Sequence, residues 1–418
     1  MTAFKPLKSG ISRRTQSVRA QANTAKVLKG ILRNATDKGL DELTIGAVAK
    51  IAGLTTGAIY GRFENNEEMA IELWQSVVKT PFKDRLKRSV EYLRTRQPTT
   101  QAVKKTKLSS ADQTALVAKD FELPDEIAKL GAEFLVVARR NLAIGEVVIP
   151  EVTHWFTELG LSKSNNALDN AAIAIGLSAS VGTALRTYVL KANTNWLAIA
   201  NGLRAAIADA TSIKMPPEAP MPKWINVETD NPVRTALINA VAEVVAKSGY
   251  ANATISRIVR RADVTNGSLY NLYKDKEELT DDAMQIFLNI SADVNREGNR
   301  RAEAEARLDR GLADSFTLGL MPNRRMWLDF RLECLIASRN HVPTRRKFRQ
   351  SLELSRDNLG VTMPDLSPSI INLLSSGEQA VGIGFTALEP YTSALRDCDF
   401  YSIMVKLSEQ NQLLRRGK

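Results

Sequence analysis

Only two cysteines, Cys334 and Cys398, and two histidines, His154 and His341, occur in the 418 residues. So few thiols exclude a disulfide-stapled framework of the secreted kind and fit a reducing compartment. Each histidine stands alone, which argues against a histidine-built metal site or a Ser-His triad. No phosphate-cradling glycine loop and no nucleotide fingerprint is present. The opening MTAFKPLKSGISRR lacks the apolar core of a signal peptide. The longest weakly polar run, Asn170 to Leu185, is 16 residues and includes Ser, Thr and Gly, short of the roughly 20 apolar residues that a spanning helix needs. These absences lead to the expectation of a soluble, cytoplasmic protein that is no enzyme, holds no cofactor or metal and has no membrane partner.

What the chain does have is 44% hydrophobic and 25% charged residues, the composition of a packed protein, at a length that calls for more than one core. Its formal net charge of +11 points to a polyanionic partner. Part of that charge is concentrated at 1–23, where Lys5, Lys8, Arg13, Arg14 and Arg19 occur without an acid; this stretch is expected to be an unstructured basic arm. The other basic stretch, Lys83 to Lys107, reads as a charged helical face.

The chain is written twice. Sliding it by 210 positions aligns TTGAIYGRFENNEE (Thr55 to Glu68) with TNGSLYNLYKDKEE (Thr265 to Glu278) without a gap. Upstream, Val27, Leu28, Ile31, Leu32 and Ala35 align with Leu237, Ile238, Val241, Ala242 and Val245, the stripe of an amphipathic helix. A glycine, Gly39 or Gly249, closes that helix, and Thr44 or Thr254 caps the next. A tight corner follows at Gly53 or Asp263, because Gly and Asp both tolerate positive φ. Thr55 and Thr265 then cap a short third helix with Ile59 and Phe63, or Leu269 and Tyr273, turned inward. Asn65 and Asp275, each followed by a glutamate three residues on, read as capping boxes of a fourth. Helix, sharp turn and helix at this length make a helix-turn-helix. Both halves continue as helical sequence without strand alternation. FLVVARRN (134–141) weakly echoes ECLIASRN (333–340), and AIGLSA (174–179) echoes AVGIGF (380–385).

Each block resembles the DNA-binding region of the tetracycline-repressor (TetR) family of bacterial regulators. The features that carry the resemblance are a threonine-started helix, an Ala-Gly-like turn, a recognition helix ending in Tyr-x-x-Phe and a Lys-containing cap, as in TIGAVAKIAGLTTGAIYGRFENNEEM and TISRIVRRADVTNGSLYNLYKDKEEL. The resemblance implies an all-α fold of two tandem units, each a three-helix helix-turn-helix domain followed by a helical ligand and dimerisation domain. The boundaries are an arm at 1–23, a first helix-turn-helix at 24–70, a first regulatory domain at 71–213, a proline-rich linker at 214–231, a second helix-turn-helix at 232–280 and a second regulatory domain at 281–418. Extended, residues 211–231 reach up to about 70 Å.

The resemblance further implies a transcriptional regulator, usually a repressor, whose partner is double-stranded DNA and which associates with the nucleoid when bound. The positions carried over as DNA-binding are Thr44, Thr55, Thr56, Gly57, Tyr60, Gly61 and Arg62, with Thr254, Thr265, Asn266, Gly267, Ser268, Tyr270, Asn271 and Lys276. Helix N-terminal amides suit phosphate, and small or polar side chains admit the backbone to the major groove. Copy one departs from the pattern with Asn66 where copy two has Lys276, and Glu64 where it has Lys274. The basic arm offers compensation by entering a minor groove. Because the two heads differ at Thr56/Asn266, Ala58/Ser268, Gly61/Asn271 and Arg62/Leu272, an intrachain pseudo-dimer reading an asymmetric operator is expected, its heads about one DNA turn or slightly more apart. A further homodimer of whole chains stays open. So does a small-molecule effector, for which Phe134, His154, Trp155, Trp327, Phe330 and Cys334 are candidate lining residues. The alternative is a degenerate protein with one working head, serving protein interaction or architectural DNA binding.

Overall fold

The computed structural model describes residues 10–94, 110–190, 195–214, 227–304 and 320–416, with Ala313 and Phe316. The expected all-α class is what the chain adopts: among the described residues every regular element is helical. Most of the proline-rich linker, residues 215–226, and the basic positions Lys5, Lys8 and Lys104 to Lys107 lie outside the described residues. The chain forms two compact units, Met1–Val77 and Val78–Lys418.

The first unit holds α1 (Gly10–Lys38), α2 (Ile45–Ala52), α3 (Thr56–Tyr60) and α4 (Asn66–Leu73). The arm is not irregular throughout, because α1 begins at Gly10 and includes Arg13, Arg14 and Arg19. No Gly or Pro interrupts residues 11–29, so nothing local stops the helix before Gly10. Val27, Ile31 and Ala35 form the buried stripe of α1, against which α2 and α4 pack. The corner after α2 places Gly53 at φ 65°, ψ 37°. Beyond α4 the backbone passes through a π-helical stretch, Trp74–Val78.

The second unit opens with α5 (Lys79–Arg94), α6 (Ser110–Glu122), α7 (Glu126–Val137), α8 (Leu142–Glu158), α9 (Ala167–Arg186) and α10 (Trp196–Asp209). A second head follows, made of α11 (Pro232–Ser248), α12 (Ile255–Ala262) and α13 (Asn266–Tyr270) and closed by the start of the next helix. The remainder is α14 (Lys276–Ala304), α15 (Arg325–Ala337), α16 (Val342–Thr362), α17 (Pro368–Leu388) and α18 (Phe400–Arg416). Asp263 takes the corner after α12 at φ 54°, ψ 45°, the counterpart of Gly53. Leu237, Ile238, Val241, Ala242 and Val245 are all fully buried, a wider apolar face than that of α1, because α11 packs on α15 as well as on α12 and α14.

The centre of this unit is the crossing of α9 and α17, flanked by α5 and α7. Every residue from Asn170 to Arg186 is buried. The helix is 20 residues long and apolar enough by length and composition to cross a membrane, yet 89% of that window is covered by protein, as expected of a central core helix. At the crossing the two backbones touch: a Cβ on Gly182 would overlap the carbonyl oxygen of Ala380, and one on Gly384 would overlap that of Ser178. These contacts are reciprocal, exchanging positions 202 apart, which is the signature of a local two-fold. The AIGLSA/AVGIGF echo is therefore one helical turn out of register, since the structure equates Ser178, not Ala174, with Ala380.

Two ion pairs also run reciprocally between the halves, exchanging arginines 199 positions apart and glutamates 200 positions apart. Arg140 grips Glu333 with Nε to Oε1 at 2.6 Å and Nη2 to Oε2 at 3.0 Å, while Arg339 binds Glu133 and the Tyr188 hydroxyl. Within the stretch 83–107, read as a charged helical face, Arg85 turns inward. It is buried, its Nε donates to Ser180 Oγ at 3.1 Å, and burial pulls its pKa down to about 10 against the opposing pull of Asp120.

Gly182→Val should destabilise the fold by about 3 kcal/mol, the upper end of typical overpacking costs, read as a lowered midpoint of urea unfolding. The control Gly202→Ala, where an added Cβ meets nothing within 4 Å, should instead gain up to about 1 kcal/mol.

Candidate nucleic-acid interface

Both heads build their outer face from threonine caps. Thr44 Oγ1 accepts the Ala47 amide at 3.3 Å and Thr55 Oγ1 the Ala58 amide at 3.2 Å. Thr254 Oγ1 accepts the Arg257 amide at 3.4 Å and Thr265 Oγ1 the Ser268 amide at 3.1 Å. Each cap satisfies one orphan amide of a short helix and leaves its hydroxyl proton for another acceptor. At Thr265 that capacity is shared with the Ser268 hydroxyl, 2.9 Å away. Asn65 and Asp275 accept from the Glu68 and Glu278 amides. The return contacts from the glutamates go to the amides of Glu64 and Lys274, one residue earlier than a standard capping box.

Ile59 and Leu269 anchor α3 and α13, each fully buried. That anchoring turns the opposite sides outward. Tyr60 is 60% and Tyr270 56% exposed. Thr56, Gly57, Ala58, Gly61 and Arg62 are exposed, as are Asn266, Gly267 and Asn271; Ser268 is half-buried. An added Cβ on Gly57 or Gly267 would meet nothing closer than the cap hydroxyl, at 3.9 and 3.7 Å, and neither glycine has positive φ. The fold itself therefore does not require glycine at either place.

The heads differ in what holds them. In the first, Arg62 Nη1 donates to Thr24 Oγ1 at 3.0 Å. In the second, Arg234 makes a two-pronged contact with Asp282 at 2.9 and 3.0 Å, and the Tyr273 hydroxyl donates to the same carboxylate at 2.7 Å. Burial disfavours ionised Asp282, but the Arg234 and Tyr273 hydrogen bonds outweigh it and hold the carboxyl below its ordinary pKa.

Lys276 departs from the expected phosphate contact. It is half-buried, its Nζ donates to the Tyr250 carbonyl at 3.0 Å, and it lies 4.9 Å from the Tyr250 ring centroid. A carbonyl and a ring face thus offset the cost of a cation at a helix N-terminus. Residues that the sequence reading passed over are Arg257 and Arg260, both exposed on α12; α2 has Ala47 and Lys50 there. Three arginines in ISRIVRRA, on a helix whose buried residues are Ile258 and Val259, were the available signal.

The candidate effector residues do not gather into one pocket, although Trp327 and Phe330 touch each other with ring centroids 6.0 Å apart. Phe134, Trp155, Trp327, Phe330 and Cys334 are buried core; Trp327 stacks on Phe287 at 4.9 Å. His154 faces solvent beside Glu158. Aromatics at helical spacing line a core as readily as a pocket, and here packing took them all. A narrow apolar crevice of about 10 Å³, room for little more than one water, lies elsewhere, lined by Leu93, Phe121, Trp196, Leu203, Gly377 and Val381 among others. Neither cysteine is poised as a nucleophile, since burial pushes Cys334 well above its usual pKa and Cys398 up to about 12.

Gly57→Ala and Gly267→Ala should each raise thermal stability, by up to about 1 kcal/mol, while weakening DNA binding at the altered head. Differential scanning calorimetry set beside fluorescence anisotropy on duplex DNA checks both signs.

Residues 27–73 and 237–283 each match the family of bacterial regulatory proteins described as the tetR family. Over 124 residues, 28% of this chain, the sequence is 32% identical to the HTH-type transcriptional regulator BetI of Ectopseudomonas mendocina (strain ymp). That match spans 60% of the length of the BetI regulator. The two matched segments fall one in each head, so the chain contains two segments similar to the DNA-binding module of the tetR family of bacterial regulatory proteins.

Proposed function

We propose that the chain is a sequence-specific DNA-binding transcriptional regulator, a ligand-responsive repressor that acts as a single-chain pseudo-dimer on an asymmetric operator. The observation that carries the reading is the outward face of α3 and α13, where an exposed tyrosine and a glycine that the fold does not need stand beside threonine-capped amides. Such a face admits close backbone approach to a duplex and offers donors to phosphate. Where copy one presents Thr56, Ala58, Gly61 and Arg62, copy two presents Asn266, Ser268, Asn271 and Leu272, so each head reads its own half-site. Asn266 and Asn271 suit adenine edges in the major groove.

Support for pseudo-dimerisation comes from the α9–α17 crossing and its reciprocal ion pairs, which join helices from the two repeats inside one chain. An effector would have to widen the narrow apolar crevice beside Trp196, whose buried indole nitrogen has no hydrogen-bond partner in the protein. It would act by favouring one arrangement of the helical core over another.

One observation favours a weaker first head: α12 exposes Arg257 and Arg260 where α2 has Ala47 and Lys50. Tyr270→Ala is expected to reduce operator affinity by about 10- to 100-fold, and Tyr60→Ala by less. Selection of bound fragments from a random duplex pool at a stated salt concentration should return two dissimilar half-sites. A palindromic consensus would contradict the asymmetric operator, and no enrichment at all would contradict DNA recognition.

A further inference from the structure

The α9–α17 crossing is symmetric in its glycines and asymmetric in one buried polar cluster. Arg186, 7% exposed, donates from Nε to Gln379 Oε1 at 3.1 Å and from Nη2 to Ser376 Oγ at 3.4 Å. Gln379 is held in turn, its Nε2 donating to the Leu352 carbonyl and to Ser375 Oγ, both at 2.9 Å. The local two-fold that exchanges Gly182 with Gly384 also exchanges Arg186 with Leu388, Gln379 with Leu177, and Ser376 with Ala174. Leu388, Leu177 and Ala174 are all fully buried. One end of the crossing is therefore a hydrogen-bonded guanidinium and the other is hydrocarbon.

We infer that this cluster makes α9 select α17, and not a second α9, as its partner, so that the surface is built for unlike halves of this chain. Two first halves brought together by the same two-fold would set each Arg186 against Leu177 and Ala174, burying two cations with no acceptor. Two second halves would leave Gln379 Oε1 facing Leu388. Only the unlike pair gives both Arg186 and Gln379 their partners, and the opposing choices disfavour the wrong partners as well as favouring the right one. Replacing an ion by an apolar side chain in such a place preserves packing while erasing the preference. The inference rests on the pseudo-dimer reading above, but not on DNA recognition.

The experiment uses the full chain with a protease site inserted between residues 215 and 226, cut after purification and examined by native mass spectrometry. Wild-type halves are expected to stay together as unlike pairs, with like pairs at least tenfold rarer. Arg186→Leu should bring first-half like pairs up by tenfold or more. Gln379→Leu alone should weaken retention of the halves at least tenfold, and the double variant Arg186→Leu with Gln379→Leu should restore retention without selectivity. Like pairs or free halves from the cut wild-type chain would overturn the inference, as would strict unlike pairing in Arg186→Leu and in the double variant. Loss of DNA binding in an uncut chain whose halves still pair selectively would count against the function of the heads alone.

Discussion

Backbone contact between α9 and α17 is the constraint on which the second unit depends. Gly182 and Gly384 are each seated on a carbonyl of the opposite helix, and no side chain fits between. Once the helices approach so closely, everything around them is fixed in place. α5 and α7 flank α9, α10 lies on α18, and the Arg140–Glu333 and Arg339–Glu133 pairs close over the ends of α7 and α15 at positions where neither acid could be left without its partner. The segment from Asn170 to Arg186 is buried throughout because it is the axis of this arrangement.

The heads obey a different economy. Each is a small helical unit whose buried side is apolar and whose outer side is formed by caps, glycines and one large exposed ring. Internal packing requires Ile59 and Leu269 but asks nothing of Tyr60, Tyr270, Gly57 or Gly267. Residues with no task inside the fold are the natural candidates for a task outside it. Lys276 is the contrary case. Its position suggested an anion, but the cation is used within the protein by Tyr250, whose counterpart in the first head is Leu40, just as Lys276 is replaced there by Asn66. The two substitutions go together physically, since a ring and a carbonyl are what hold the ammonium in place.

Divergence between the copies follows one pattern. Local geometry is preserved by chemically different means: Gly53 and Asp263 both take the left-handed corner, and Asn65 and Asp275 both cap. Surfaces are where the copies part, with Arg257 and Arg260 against Ala47 and Lys50, and with a wider buried face on α11 because α15 covers it.

The sequence by itself determined the helical class, the duplication, the four helices of each head and nearly every cap, because these depend on interactions within a few residues: periodicity, a hydroxyl three positions before an amide, a residue that tolerates positive φ. The same local logic extended α1 back to Gly10, although a run of basic residues suggested an arm. Only tertiary structure decided which helices met. The glycines of α9 and α17 look like many others until a carbonyl is seen against them, the faint echo between the halves was misread by one helical turn, and Phe134, Trp155, Trp327 and Phe330 became core instead of lining because aromatic spacing on one helix carries no information about what packs opposite it. Partner choice between buried surfaces depends on groups hundreds of residues apart in the chain, and no local pattern encodes it.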